Sequence, residues 1–198
     1  MGNRLSKIYT RTGDDGSTGM ADGSRVSKAD NLFSVMGDID ELNSHIGLIR
    51  AQLLHNKGQS IGKEFSAALV IIQHLLFNIG GELAMPEYEG VNASHIEWLE
   101  QQIDTMNTTL PPLKDFILPT GSVLVSQLHV ARSVCRRAER QAVLLQQARP
   151  QAIRNTALSF INRLSDWLFV AARFCTDPEQ VSEVLWDSEV LKTFADSK

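Results

Sequence analysis

An all-α fold, a five-helix bundle behind a glycine-rich amino-terminal loop, is predicted by three features of the sequence. Apolar residues recur at steps of three and four through most of the 198 residues, the period of a helix with one buried stripe. No strand pattern is readable. Gly13, Gly16, Gly19 and Gly23 crowd into one short stretch ahead of the first helical period. A chain of this length suits one domain with a full core. Residues 1–198 therefore read as one domain, with a loop over 1–28 and a bundle over 30–194.

Composition excludes several classes. The formal net charge is -4 and no basic tract stands out, which argues against nucleic acid as the main partner. The longest apolar runs are too short for a membrane span, and residues 1–9 are short and polar, without the apolar core of a signal peptide. Cys135 and Cys175 each lie on an apolar helix seam. They read as buried thiols in a reducing cytoplasm, not as a disulfide framework or metal site.

The elements follow in order. Residues 8–28, IYTRTGDDGSTGMADGSRVSK, interleave the four glycines with Thr10, Thr12, Ser17 and Thr18. Glycine permits positive φ and close backbone approach, so successive amides can face a concave anion site. The competing reading is a disordered tail, against which Ile8 and Tyr9 supply an apolar anchor. Neither a Walker loop nor a GxGxxG fingerprint is present. Residues 30–54 form helix one, with Leu32, Val35, Ile39, Leu42, Ile46, Ile49 and Leu53 inward. Asp40 flanks that stripe, where a carboxylate wants a cation or water. A polar break at 55–60 precedes helix two, about 62–85, stopped by Pro86; Phe65, Leu69, Ile72, Leu76, Ile79 and Leu83 point inward. Helix three opens at Ser94, with Glu97 completing a capping box.

Residues 107–121 cross to helix four and carry the apolar run Phe116-Ile117-Leu118, which either tucks into the core or lines a pocket. Helix four ends by Pro150, with Leu124, Leu128, Ala131, Cys135, Ala138, Ala142 and Leu145 as its seam. Arg132, Arg136 and Arg140 recur at steps of four on another stripe, with Glu139 beside them. Three guanidiniums there repel one another unless carboxylates of another helix, solvent or a polyphosphate neutralises them. Helix five, 155–175, places Leu158, Ile161, Ser165, Leu168, Ala172 and Cys175 inward, with Asn162 and Asp166 on an adjacent stripe. Asp177-Pro178 caps a short last helix through about Phe194, docked by Val181, Val184, Leu185 and Leu191.

Di-iron carboxylate chemistry needs Glu-x-x-His on two helices, and none of His45, His55, His74, His95 and His129 has that glutamate. HExxH, CxxC and G-x-S-x-G are absent as well. The polar residues left on the helices suit an anion-binding surface better than acid/base catalysis.

The blocks IYTRTGDDGSTG, GDIDELNSHIG, FILPTG, RSVCRRAERQ and FINRLSDWLFVAAR, in this order, resemble the PduO-type ATP:cob(I)alamin adenosyltransferases. The resemblance implies a homotrimer of five-helix bundles. ATP and the corrinoid meet at each subunit interface, and reduced cobalt attacks the 5′ carbon of ATP, giving adenosylcobalamin and triphosphate. It implies ATP contacts from Thr10, Arg11, Thr12, Gly13, Ser17 and Thr18, and from Lys28 with its spacing shifted by a residue or so. Arg136, Arg137, Ala138, Glu139 and Arg140 match the block that holds the triphosphate and its Mg²⁺ shell, with Glu139 the candidate in that shell. Asn162 matches an asparagine on the ATP side, Phe116 the phenylalanine at the lower corrin face, and Asp40 with Arg132 a charge pair across the interface. Arg136 and Phe116 are thus the expected catalytic residues, and a cob(II)alamin reductase is a candidate partner. Asp15 departs from the pattern, since relatives often carry lysine there. A non-catalytic bundle that senses or carries nucleotide or corrinoid is the alternative, and a structural helical oligomer is a second.

Overall fold

A computed structural model describes residues 8–55, 63–85, 87–176 and 183–195. The expected break at 55–60, the Pro86 stop, the Asp177-Pro178 cap and Val181 fall wholly or partly outside the described residues. The helices are α1 Asn31–His55, α2 Lys63–Ala84, α3 Ala93–Asn107, α4 Val123–Ala148, α5 Asn155–Phe174 and a short α6 Glu189–Ala195. The apolar steps decide the packing. Every predicted seam residue of α4 is buried, as are those of α1 from Leu32 to Ile49 and those of α2. α4 packs between α1 and α5, α2 lies on α1, and α3 lies on α5.

α5 is buried more widely than one seam predicts. Ala157, Phe160, Leu164, Trp167 and Ala171 are buried along with Ile161, Ser165, Leu168, Ala172 and Cys175 of its expected stripe, while Leu158 of that stripe is only half-buried. Phe65 of α2 stacks on Trp167 at 5.4 Å between centroids, an arrangement worth more than its buried area alone. The apolarity of α2 has the same cause. Its length and a mean hydropathy of 1.5 would by themselves suit a membrane crossing, contrary to the expectation that no apolar stretch is long enough. Its apolar positions Phe65, Leu69, Ile72, Leu76, Ile79 and Leu83 face the bundle core instead.

Three expectations need correction. The glycine-rich segment contains a small antiparallel hairpin, β1 Ser17–Gly19 and β2 Arg25–Ser27, with Thr18 opposite Val26. Strands this short show no readable alternation. α3 starts at Ala93, not at Ser94 with Glu97. Asn92 is the cap, accepting from the Ser94 amide at 3.1 Å, while His95 Nδ1 accepts from the Asn92 amide at 3.2 Å. The start is fixed from outside the helix, because the buried Glu82 accepts from the amides of Gly90 and Val91 at 2.9 and 2.7 Å and from Arg154 Nη2 at 2.7 Å. Finally, Val184 and Leu185 are not helical. Ile117 and Leu185 form an antiparallel bridge, flanked by Leu118 N to Val184 O at 2.8 Å and Trp186 N to Phe116 O at 2.7 Å. The last helix begins only where Asp187 Oδ1 accepts from the Glu189 amide.

Candidate functional site

The amino-terminal loop is organised by its own side chains. Lys28 Nζ donates to the Gly13 carbonyl at 2.7 Å, and the Lys28 amide donates to Gly16 O at 2.9 Å. Arg25 Nε donates to Ser17 Oγ at 3.0 Å, and its Nη2 also reaches Ser17 Oγ and the Thr12 carbonyl. Thr10, Thr12, Gly13, Ser17 and Lys28 are thereby gathered in one turn, with Thr10 and Thr12 hydroxyls 2.8 Å apart. Thr18 is paired into β1. Gly16 has φ +82°, and Arg11 has φ 63°. A non-glycine residue in that region carries backbone strain, which persists where the surroundings impose it. Arg11 lies 5.7 Å from the Tyr9 ring centroid.

Asp15, the departure noted in the sequence, accepts from Ser17 Oγ and N at 2.7 and 2.9 Å and lies 3.7 Å from Arg25. The Ser17 contacts hold its carboxyl below the usual range, with Arg25 adding to the effect. Arg25 was missed by sequence reasoning. Its signal was a lone arginine eight residues after Ser17, which no helical spacing connects to it.

The arginines of α4 divide by direction. Arg137 turns to α1, 3.0 Å from Asp38 and in contact with Glu41. Ala138 is fully buried in the seam. Arg136 and Arg140 instead line a groove of about 540 Å³ with Glu139, Val143, Leu144, Gln147 and Asn162. Asn162 Nδ2 donates to Glu139 Oε1 at 2.7 Å, so the mid-helix asparagine fixes the one carboxylate in the groove. Among the described residues no ion pair engages Arg132, Arg136 or Arg140. Of the three ways to neutralise this stripe, carboxylates among the described residues are therefore not the one used. Arg132 is half-buried and its Nε has no hydrogen-bond partner. Burial, then the charge of Arg136, pulls its pKa down.

Asp40 is exposed and lines a separate apolar cleft between α1 and α2 with Phe77, Gly80 and Gly81. No ion pair among the described residues joins it to Arg132. Nor does any described hydrogen bond join the Thr10–Ser17 turn to Arg136 or Arg140. The polar contacts of the turn are internal, Met20 packs on the core, and Asp30 is tied to Arg149. Phe116 is 79% exposed at the edge of the two-strand pairing with residues 184–186. Gly121, with φ +142°, then turns the chain into the Ser122 cap of α4.

This arrangement offers hydroxyls and amides in a strained turn, two unneutralised guanidiniums beside a fixed carboxylate, and a projecting aromatic ring. Polyphosphate recognition requires the first two.

Residues 8–175 match the model of the family described as cobalamin adenosyltransferase. A cobalamin adenosyltransferase of Cupriavidus metallidurans is 47% identical over 96% of this chain and 98% of its own. A corrinoid adenosyltransferase of Mycobacterium leprae is 42% identical over 92% and 96%. Among solved structures, a phenylalanine-to-alanine variant of the PduO-type ATP:corrinoid adenosyltransferase from Lactobacillus reuteri, complexed with cobalamin and ATP, superposes with a TM-score of 0.81 at 38% identity. The match covers 92% of this chain and 100% of that one.

Proposed function

This chain belongs to the cobalamin adenosyltransferase family, and on that premise we propose that its Arg136–Arg140 groove receives the triphosphate of the ATP whose 5′-deoxyadenosyl group the enzyme transfers to cob(I)alamin. The cobalt–carbon bond forms at C5′ as the C5′–oxygen bond breaks, and the triphosphate leaves with the bonding pair. The observation that carries this assignment is the pair of guanidiniums that no ion pair engages among the described residues, in one groove with the Asn162-held Glu139. Cob(I)alamin is itself a strong nucleophile, so no protein base is needed. The chain positions the two substrates and stabilises negative charge on the leaving triphosphate.

Mg²⁺ prefers one or two carboxylates completed by phosphate oxygens and water. The groove fits that habit, since Glu139 is its single carboxylate and no group of three or more His, Cys, Asp and Glu occurs among the described residues. Glu139 would hold the ion, and the ion would supply further neutralisation of the triphosphate.

Phe116 serves the step before adenosylation. A Co(II) corrinoid without its lower ligand is easier to reduce, and an exposed apolar ring on a non-helical segment suits exclusion of water and base from that face. A cob(II)alamin reductase would supply the electron. Threefold assembly is supported by the stripe on Arg132 and Arg136, by exposed Asp40, and by a turn that does not reach the groove of its own chain. In such a trimer the turn of one subunit would meet the groove of the next, and Asp40 would meet Arg132. The two free, buried thiols fit a cytoplasmic location.

A thermal-shift titration with ATP and Mg²⁺, paired with detection of triphosphate once cob(I)alamin is added under anaerobic conditions, tests the reading. Adenosyl transfer requires both stabilisation and triphosphate release. Stabilisation without release would make the chain a sensor or carrier, and neither would leave a structural oligomer.

A further inference from the structure

Phe116 has little side-chain packing of its own, so its place must be set by its backbone, and that backbone is held at both ends through one residue of α5. Arg173 is 7% exposed. Its Nη2 donates to the Pro111 carbonyl at 2.8 Å, and its Nε donates to Glu183 Oε1 at 2.7 Å. Pro111 lies in the crossing segment that carries Phe116. Glu183 precedes the extended residues 184–186, which grip the far side of the same segment through Leu118 N to Val184 O and Trp186 N to Phe116 O. Asp115 Oδ1 further fixes the Phe116 amide at 2.7 Å. The guanidinium is rigid and forked, so its two donors hold two chain segments at a fixed separation.

We infer that Arg173, with Glu183, is a positioning residue for Phe116: it clamps the crossing segment and the carboxyl-terminal strand together so that the ring stands at the corrin face. This rests on the reading of Phe116 as the residue that excludes the lower ligand. Replacing both members of such a buried pair with apolar residues costs little stability, whereas removing one leaves a charge unpaired and lowers it, so each variant is read well below its own melting temperature. Fixing two limbs around an exposed ring is a task that apolar packing performs poorly. The expected signature is therefore a defect in one step of the reaction in a protein that is still folded.

The test uses the full chain with ATP and cob(II)alamin and reads four-coordinate Co(II) by electron paramagnetic resonance. Glu183→Leu releases only the strand and leaves Arg173 in place. Glu183→Gln keeps the acceptor, and Arg173→Met releases both limbs. Glu183→Leu is expected to lower the four-coordinate signal roughly tenfold or more, since misplacement by about 1 Å costs up to about 10²-fold. Arg173→Met should do the same and Glu183→Gln should retain the signal. ATP affinity should not change, and adenosylation of chemically pre-reduced Co(I) should suffer less than the route from Co(II). A purely structural role would lower the melting temperature and leave the signal intact well below it. If Arg173→Met does not fold, Glu183→Leu decides. A wild-type signal in Glu183→Leu, alongside a lost signal in Phe116→Ala, overturns the clamp alone. A wild-type signal in Phe116→Ala overturns the reading on which the clamp rests.

Discussion

At the scale of single residues, the proposed triphosphate site rests most on Arg136. It is exposed on the groove, lies on the same stripe as two other arginines, and has no carboxylate partner among the described residues. Arg136→Ala should reduce kcat by about 10²–10³-fold, the usual cost of removing one charge-stabilising donor. Circular dichroism and melting temperature should be unchanged, because alanine favours the helix and no ion pair is broken. Near-normal turnover in a folded variant would remove the groove from the mechanism. The cysteines make a second prediction, from burial. Burial pushes Cys175 up to about 12, and it pushes Cys135 up as well, with the Glu139 carboxylate adding to the effect. Native thiols keep their protons where unfolded ones, at about 8.5, lose them. Their contribution is thus complete below about pH 8.5 and is lost as pH rises above it. Urea unfolding of wild type against a Cys135→Ala, Cys175→Ala variant across about pH 8 to 11 checks the sign, with the wild type losing stability faster. Helical spacing made Arg136, Glu139 and Asn162 legible as candidates, and the fold brings them to one groove. Sequence reading missed Arg25, Glu82 and Arg173, whose partners are set by tertiary approach that no period encodes.

Among the elements, the hairpin carries the internal bonds that shape the proposed ATP turn. Arg25 gathers Ser17 and the Thr12 carbonyl, and Lys28 holds the Gly13 carbonyl, so if that turn contacts ATP as proposed it is shaped in advance. Arg25→Ala should raise the ATP KM roughly ten- to hundredfold, matching loss of charge-assisted hydrogen bonds worth about 1.5–3 kcal/mol. The bundle should be untouched, since the polar contacts of Arg25 lie within the hairpin; unaltered ATP kinetics would show that the loop needs no clasp. At the opposite end, the Glu82–Arg154 pair joins α2 to α5 and fixes the start of α3. Glu82→Ala leaves Arg154 with only the exposed carboxylate of Glu89, 3.2 Å away, and leaves the buried amides of Gly90 and Val91 without their acceptor. It should cost about 3–5 kcal/mol in denaturant unfolding, whereas a loss near zero would mean that water replaces the carboxylate. The long helices were legible because their buried stripes repeat, as Val35 to Ile49 does without a break. The hairpin and the 184–186 strand were not, because three-residue strands give too few positions for a period. The shift of the α3 start came from Glu82, which holds Gly90 and Val91 from another helix.

For the whole molecule, the central question is whether the parts described in one chain complete a site. Among the described residues no hydrogen bond joins the Thr10–Ser17 turn to Arg136 or Arg140, and no ion pair joins Asp40 to Arg132. If the site is shared, Thr12→Ala with Ser17→Ala in one chain and Arg136→Ala in another, each inactive alone, should regain a fraction of activity when co-refolded. That fraction is set by the mixing ratio. No recovery in mixed oligomers confirmed by mass measurement would place each site within one subunit. The activity expectations presuppose adenosyl transfer, and one measurement tests it without a variant. Under anaerobic conditions the wild-type protein is mixed with ATP, Mg²⁺ and cob(I)alamin, while the cobalamin spectrum and the released phosphates are followed together. The account predicts conversion of cob(I)alamin to adenosylcobalamin with one triphosphate released per cobalt–carbon bond formed. An unchanged cobalamin spectrum, or ATP consumed to ADP and phosphate with no alkyl-cobalt product, would contradict it.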